Sequence, residues 1–172
     1  MTGLLERPAT GTVAPDPIRI RPAGAADRDA VHRFLAGLSL DSAYRRFFTG
    51  IGSPAPTLTR RLVEVDHDRR ETLLALRGAD VIGLADSARL APGSEVPTVE
   101  LGVVVADAWQ RRGLGPRLAR ALLERAVLHG ARAVRVHALA DNTRVSRMLH
   151  RRWPDTRPVR EDGVLVWHLP LT

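Results

Sequence analysis

Residues 99–115, VELGVVVADAWQRRGLG, constrain this chain more than any other stretch. The β-branched, apolar run Val99 to Val105 has the character of a strand. Gly113 and Gly115, next to Arg111 and Arg112, then open a long amphipathic helix. Glycines at such a turn let the backbone approach a ligand, and the first amides of the helix point at an anion with the helix dipole behind them. The stretch is therefore read as a phosphate cradle. Glycine spacing alone also fits a Rossmann dinucleotide turn, a nucleotide P-loop or a tight turn with no ligand. Against the first, Leu118 stands where the third small residue belongs, and three consecutive strands precede the motif. Against the second, a P-loop needs Gly-Lys-Ser/Thr, and the chain contains no lysine.

The segments around the cradle give a pattern of strands and helices. Ile18 to Arg21 alternates as a short strand, and Pro22-Ala23-Gly24 separates it from a helix carrying Val31, Phe34, Leu35 and Leu38. Ser39 to Phe48 begins with capping residues and forms a second helix, Gly50 to Pro56 a loop, and Thr57 to Val65 a third helix. The period then changes. Thr72 to Leu76 and Val81 to Leu90 flank Arg77-Gly78-Ala79-Asp80 as an antiparallel hairpin, and Pro92-Gly93 turns the chain into the strand Val99 to Val105. Pro116 to His129 is the strongest helix, stopped by Gly130 in a left-handed conformation. Ala133 to Leu139 is a buried strand, Asn142 to Arg151 a helix and Val164 to Leu169 a last strand. Strand, helix and strand in that order imply a parallel crossover.

With 172 residues, 44% of them hydrophobic, one compact domain is expected over 18–172, preceded by a mobile tail over 1–17. There is no cysteine, so no disulfide, thiolate metal site or cysteine nucleophile is available. The N-terminal residues lack a signal-peptide pattern and no apolar run reaches membrane-spanning length, so a cytoplasmic protein with no membrane partner is expected. All 26 basic residues are arginine against 19 acidic ones, a formal charge of +7 that favours anionic ligands. The arginines are scattered and aromatics are few, which argues for a solvated basic surface rather than a nucleic-acid footprint. Asp66-His67-Asp68 is read as a polar loop, and no histidine has metal-ligand spacing.

The order of elements, together with Gln110-Arg111-Arg112-Gly113-Leu114-Gly115 and Asp141-Asn142, resembles the GNAT superfamily of acyl-CoA-dependent N-acyltransferases over about Ile18 to Leu171. The resemblance implies an α/β fold of the α+β type. Its mixed central sheet of six to seven strands would hold an antiparallel meander and a splayed parallel pair, flanked by helices. It implies acetyl-CoA as cosubstrate, with the pantetheine arm along Val103, Val104 and Val105. The diphosphate would lie on Gln110, Arg111, Arg112, Gly113, Leu114, Gly115 and Pro116, the proline costing one amide. Asn142 would contact the pantetheine arm, cap its helix, or do both.

Transfer to an amine requires a base near the splay, and Glu100 is the candidate, acting directly or through water. A surface or salt-bridged glutamate is the competing reading. SLDSAYRRFF and the form of the glycine motif are similar to bacterial protein-lysine acetyltransferases, including enzymes acting on acyl-CoA synthetases and domains fused to them. This implies a protein lysine as acceptor, an acyl-CoA synthetase being one such partner, with Tyr44, Arg45, Arg46 and Phe47 near the acceptor groove; Phe47 and Phe48 also suit a plain core. A small amine is the alternative acceptor. A silent CoA-binding module and a basic nucleic-acid module are alternatives of another class. Leu149 and His150 stand where many relatives carry a tyrosine acid, and Arg152-Trp153-Pro154 replaces the usual Gly-Phe. A monomer or homodimer is expected.

Overall fold

The computed structural model describes residues 17–48, 54–90 and 96–171. The tail expected over 1–17, all but its last residue, lies outside these, as do most of the Gly50 to Pro56 loop and the Pro92-Gly93 turn. Seven strands form one sheet: β1 (Arg19–Pro22), β2 (Arg70–Arg77), β3 (Asp80–Arg89), β4 (Thr98–Val105), β5 (Ala133–Leu139), β6 (Val159–Glu161) and β7 (Val164–Pro170). Their spatial order is β1-β2-β3-β4-β5-β7-β6, with every pairing antiparallel except β4 with β5. The meander, the crossover and the single parallel pair follow the sequence expectation. Strand β6 is an addition to it. All three of its residues are exposed, so it carries no apolar alternation by which a strand is recognised.

Five α-helices cover the sheet: α1 (Arg28–Ala36), α2 (Leu40–Phe47), α3 (Pro56–Val63), α4 (Leu114–Leu128) and α5 (Thr143–Arg152). A short 3-10 turn at Ala25–Asp27 leads into α1, so that helix begins later and ends earlier than its apolar pattern implied. Val31, Phe34 and Leu35 of α1 and Leu62 and Val63 of α3 pack with Leu74, Leu84 and Val104 on one face. On the other face Leu114, Leu118 and Leu122 of α4 pack with Leu73, Ala75 and Ala85, joined by Leu101, Val103 and Val105. Strand alternation explains the division, since consecutive β4 side chains take opposite faces. The three α4 leucines are almost wholly buried and contribute about 1.5–3 kcal/mol each. Leu149 of α5 completes the second face over Val134, Val136, Trp167 and Leu169.

Helix α4 starts two residues before the expected Pro116, because Gly113 takes a left-handed conformation (φ +77°) and acts as its N-cap. Pro116 is thereby the third helical residue, where its missing amide breaks no intrahelical bond. Gly130 ends the segment with φ +88°, as expected. No helix among the described residues is long and apolar enough to cross a membrane.

Gly83 of β3 sets how closely α4 approaches the sheet. A Cβ there would lie 2.9 Å from Leu118 Cδ1 and 3.4 Å from Leu114 Cδ2. Gly83→Val is therefore expected to destabilise the fold by about 1–3 kcal/mol through overpacking. Urea unfolding monitored by circular dichroism checks this, and an unchanged midpoint would refute the close packing.

Candidate active site

The parallel pairing of β4 with β5 runs only from Thr98–Ala133 to Leu101–Val136. Beyond it β4 stays paired with β3 as far as Val105 while β5 stays paired with β7 as far as Leu139, so the two strands splay. The amide of Leu90 donates to Thr98 O at 3.0 Å and that of Ala106 to Ile82 O at 3.0 Å. Antiparallel alternation between those two points turns the backbone of Gly102 and Val104 toward β3 and that of Val103 and Val105 toward the gap. Of the three valines expected to offer backbone to a ligand, Val104 is thus committed to β3, and its side chain is buried in the core. An open strand edge of this kind is a template for a further extended chain.

At the end of the gap lies the glycine turn. Arg111 (φ +61°) and Gly113 (φ +77°) are both left-handed, and the amides of Arg112, Gly113, Leu114 and Gly115 donate to no backbone carbonyl among the described residues. A Cβ on Gly113 would meet nothing within 4 Å, and one on Gly115 would only touch Val105 Cγ2 at 3.8 Å. Protein packing does not demand glycine at 115; the space above it is free for a ligand to approach the backbone. Free amides at a helix N-terminus suit a diphosphate, and α4 and α5 add Arg120, Arg144, Arg147 and Arg151 along the same groove. The groove has a volume of about 1910 Å3 and is continuous from the glycine turn through the splay to α2.

Two polar residues of the motif have their side chains engaged by neighbouring protein groups. Gln110 donates from Nε2 to Ser42 Oγ (2.9 Å) and to Val105 O (3.1 Å), tying the turn to α2 and β4. The Arg112 guanidinium lies over the Trp109 ring, 5.0 Å from its centroid, as does that of Arg77 at 5.2 Å. Leu114 is a core residue. Asn142 caps α5, its Oδ1 accepting from the Val145 amide at 3.3 Å, while its Nδ2 has no partner among the described residues. Capping and ligand contact are compatible, because they use different atoms.

Helix α2 forms the other wall. Its N-cap Ser39 accepts from Ser42 N at 3.2 Å. Asp107 then receives Ser39 N (3.0 Å), Ser39 Oγ (2.6 Å) and Ser42 Oγ (2.8 Å). Burial pushes the Asp107 carboxyl up, but the hydrogen bonds from Ser39, Ser42 and its own backbone outweigh it and hold the group below its ordinary range. Asp107 was not legible as a site residue, since its partners are more than sixty positions away.

The four acceptor-groove candidates on α2 divide. Tyr44 is 46% exposed. Arg45 bonds Asp41 (2.8 Å) and reaches across to Asp141 (3.0 Å), and these two bonds raise its already high pKa. Arg46 is paired with Asp86 of β3 and lies 4.8 Å from the centroid of the Phe47 ring. Its guanidinium rests on Gly102, where a Cβ would come within 2.2 Å of it. Phe47 packs against the core below, in agreement with the plainer of its two readings. Asp86 also escaped the sequence reading. Its signal is a carboxylate inside an otherwise apolar strand, the same signal that singled out Glu100.

Glu100 shares its face with Gly102, and a register row across the sheet places it between Ala88 and Arg135. Arg135 Nη2 donates to Glu100 Oε2 at 2.7 Å, and His137 Nδ1 lies 3.5 Å from Oε1. The carboxylate is thus both salt-bridged and placed one residue before the splay, with its side chain 42% exposed. The Asp66-His67-Asp68 segment is a loop, in which the Asp66 carboxylate accepts the amides of Asp68, Arg69 and Arg70 at 2.8–3.1 Å. No group of three or more metal-ligating side chains occurs among the described residues.

A splayed parallel pair beside a glycine cradle offers an extended ligand an open strand edge and its anionic end a set of free amides. The Acetyltransferase (GNAT) family model matches residues 37–152, and the chain belongs to that family, whose cosubstrate is acetyl-CoA and whose acceptor is an amine. It is 29% identical over 119 residues to Acetyltransferase PA5475 of Pseudomonas aeruginosa, covering 67% of this chain and 62% of that relative. Among solved structures, the GNAT domain of S. lividans PAT shares the fold with a TM-score of 0.80 and 24% identity over 90% of each chain. Arabidopsis thaliana NAA60 in complex with acetyl-CoA shares it with a TM-score of 0.64 and 16% identity, over 90% of this chain and 99% of that one.

Loss of the Asp107 staple should loosen α2. Because its pKa is lowered in the fold, its contribution is present above the unfolded value and lost as pH falls through the folded one. Asp107→Asn is expected to cost about 1 kcal/mol at neutral pH after allowance for solvent screening. Below both pKa values the cost should shrink as the wild-type carboxylate protonates. Urea midpoints at pH 7 and pH 3 measure this; an equal cost at both would contradict the carboxylate's role.

Proposed function

We propose that the protein transfers the acetyl group from acetyl-CoA directly to a lysine side chain on another protein, with Glu100 as the base. The observation that carries this reading is the open sheet face beside the splay. Helices α1 and α3 cover β2, β3 and the end of β4 on one side, and α4 and α5 cover the other. Helix α2 reaches β5 on this side through its C-cap Phe48, whose ring meets that of His137 edge-on with centroids 6.5 Å apart, and beside that contact the Glu100 side chain stays 42% exposed. A polar floor exposed at Glu100 suits a side chain offered from a macromolecular surface better than a small amine, which needs enclosure for affinity. A protein such as an acyl-CoA synthetase fits this acceptor class.

The roles follow from placement. An ammonium must lose a proton before it attacks the thioester carbonyl; the new C–N bond then forms as the C–S bond breaks and the thiolate departs. Arg135 fixes Oε2 of Glu100, and Oε1, with His137 Nδ1 3.5 Å away, is the oxygen that accepts that proton, directly or through one water. The gap-facing backbone of Val103 and Val105 orients the pantetheine arm as an added strand, and Asn142 Nδ2 is free to donate to it. Arg111, Gly113, Leu114 and Gly115 cradle the diphosphate, and the ring of Pro116 bounds the cradle without supplying an amide. Tyr44 and Arg45 border the acceptor. With no cysteine, a covalent acetyl-thiol intermediate on the chain is excluded.

Glu100→Gln keeps size and a hydrogen-bonding carbonyl but cannot take the proton. Turnover is expected to fall about 10²–10⁴-fold with acetyl-CoA affinity unchanged. Stopped thiol-release assays with protein acceptors, alongside calorimetric titration of acetyl-CoA, measure both. Unchanged turnover would remove Glu100 from the base role.

A further inference from the structure

Four arginines line the acceptor side of the groove: Arg45, Arg46, Arg61 and Arg70. Two are neutralised, Arg45 by Asp41 and Asp141 and Arg46 by Asp86. The Arg61 and Arg70 side chains have no hydrogen-bond or ion-pair partner among the described residues. Of these, Arg70 is held in place by the fold. Its amide donates to the Asp66 carboxylate at 2.9 Å, and as the first residue of β2 it stands opposite Ala88.

The register row Arg70, Ala88, Glu100, Arg135 runs across β2, β3, β4 and β5 on one face of the sheet. The neighbouring Glu71 confirms the orientation, for its side chain meets Arg125 of α4 on the opposite face at 2.6 Å. In that row the small side chain of Ala88 separates the base candidate from Arg70. Arg70 and Glu100 are two strand spacings apart, about 10 Å between backbones. The floor between them is low, ending in a guanidinium at one side and a carboxylate at the other.

The geometry points to Arg70, with Arg61 lining the same groove, as a recognition site for an anionic group carried by the acceptor. The amine sits at Glu100, and a carboxylate or phosphate on the same acceptor reaches across Ala88 to Arg70. Guanidinium forks match such groups, and an amine with no partner for them leaves the charge unused. The same chemistry has two sources, an acidic residue near a target lysine in a protein or the carboxylate of a free amino acid. The inference rests on the acetyltransferase reading above, deepening its acceptor class.

The test compares matched acceptors that differ only in charge. In one arm, lysine peptides with a neighbouring Glu are set against the same peptides with Gln; in the other, L-lysine is set against L-lysinamide. For the wild type the anionic member is expected to show a KM lower by about tenfold in the arm that matches the natural source, with kcat similar. Arg70→Gln should abolish that preference, and Arg33→Gln, on the exposed face of α1, should keep it. Calorimetric binding of the acetylated products to the CoA-loaded protein, Nε-acetyl-lysine against Nε-acetyl-lysinamide and the acetylated peptide pairs, makes the comparison without turnover. Equal affinities in every pair, or a preference that survives Arg70→Gln, would overturn the anion site. Anionic discrimination in binding with no acetylation of any amine would instead defeat the acetyltransferase reading and leave the anion site standing.

Discussion

The parting of β4 from β5 after Leu101 is the constraint on which the rest of the site depends. A strand that keeps one neighbour and loses the other is left with unpaired backbone groups along half its length, which are costly when buried and useful when a ligand can satisfy them. The sheet therefore carries a binding edge in its middle. Everything else that lines the groove is placed relative to that edge: the glycine cradle at its C-terminal end, Glu100 just before it, and Asn142 across from it at the start of α5.

The edge is kept open by contacts that are mostly polar and individually modest. Gly102 has no side chain, and the Arg46 guanidinium rests on it while pairing with Asp86. Asp107 and Gln110, both in the stretch that links β4 to α4, hold α2 through Ser39 and Ser42. Arg45 carries the connection over to Asp141 beside Asn142. Cradle, acceptor wall and the loop after β5 are coupled through one helix. A change in α2 would accordingly reach both ligands. The apolar layers beneath, centred on Leu118 and Leu122 on one face and on Leu74 and Leu84 on the other, give the sheet the rigidity that such a network needs.

Much of this architecture was legible in the sequence because it rests on local pattern. The β2–β3 hairpin is written in two apolar runs around Gly78, the α4 stripe in Leu118, Leu122 and Ala126, and its end in Gly130. The cradle is legible in two glycines whose left-handed or open backbone has a local cause. What was not legible depends on distant partners. Nothing near Gln110 shows that its amide turns to Ser42 rather than outward, and nothing near Arg46 shows that Asp86, forty residues on, will claim it. Val104 could be separated from Val103 and Val105 only once the register with β3 was known. Strand β6 is too short and too polar to announce itself; it exists because β7 offers it an edge.

The most direct test of the central claim is residue-resolved amide hydrogen exchange with and without saturating acetyl-CoA. If the splayed edge holds the pantetheine arm as an added strand, the amides of Val103 and Val105 exchange at least about tenfold more slowly in the complex. Those of Gly102 and Val104, already committed to β3, do not change relative to their neighbours. Unaltered exchange at Val103 and Val105 under saturation would contradict the account, whatever the protein turned out to acetylate.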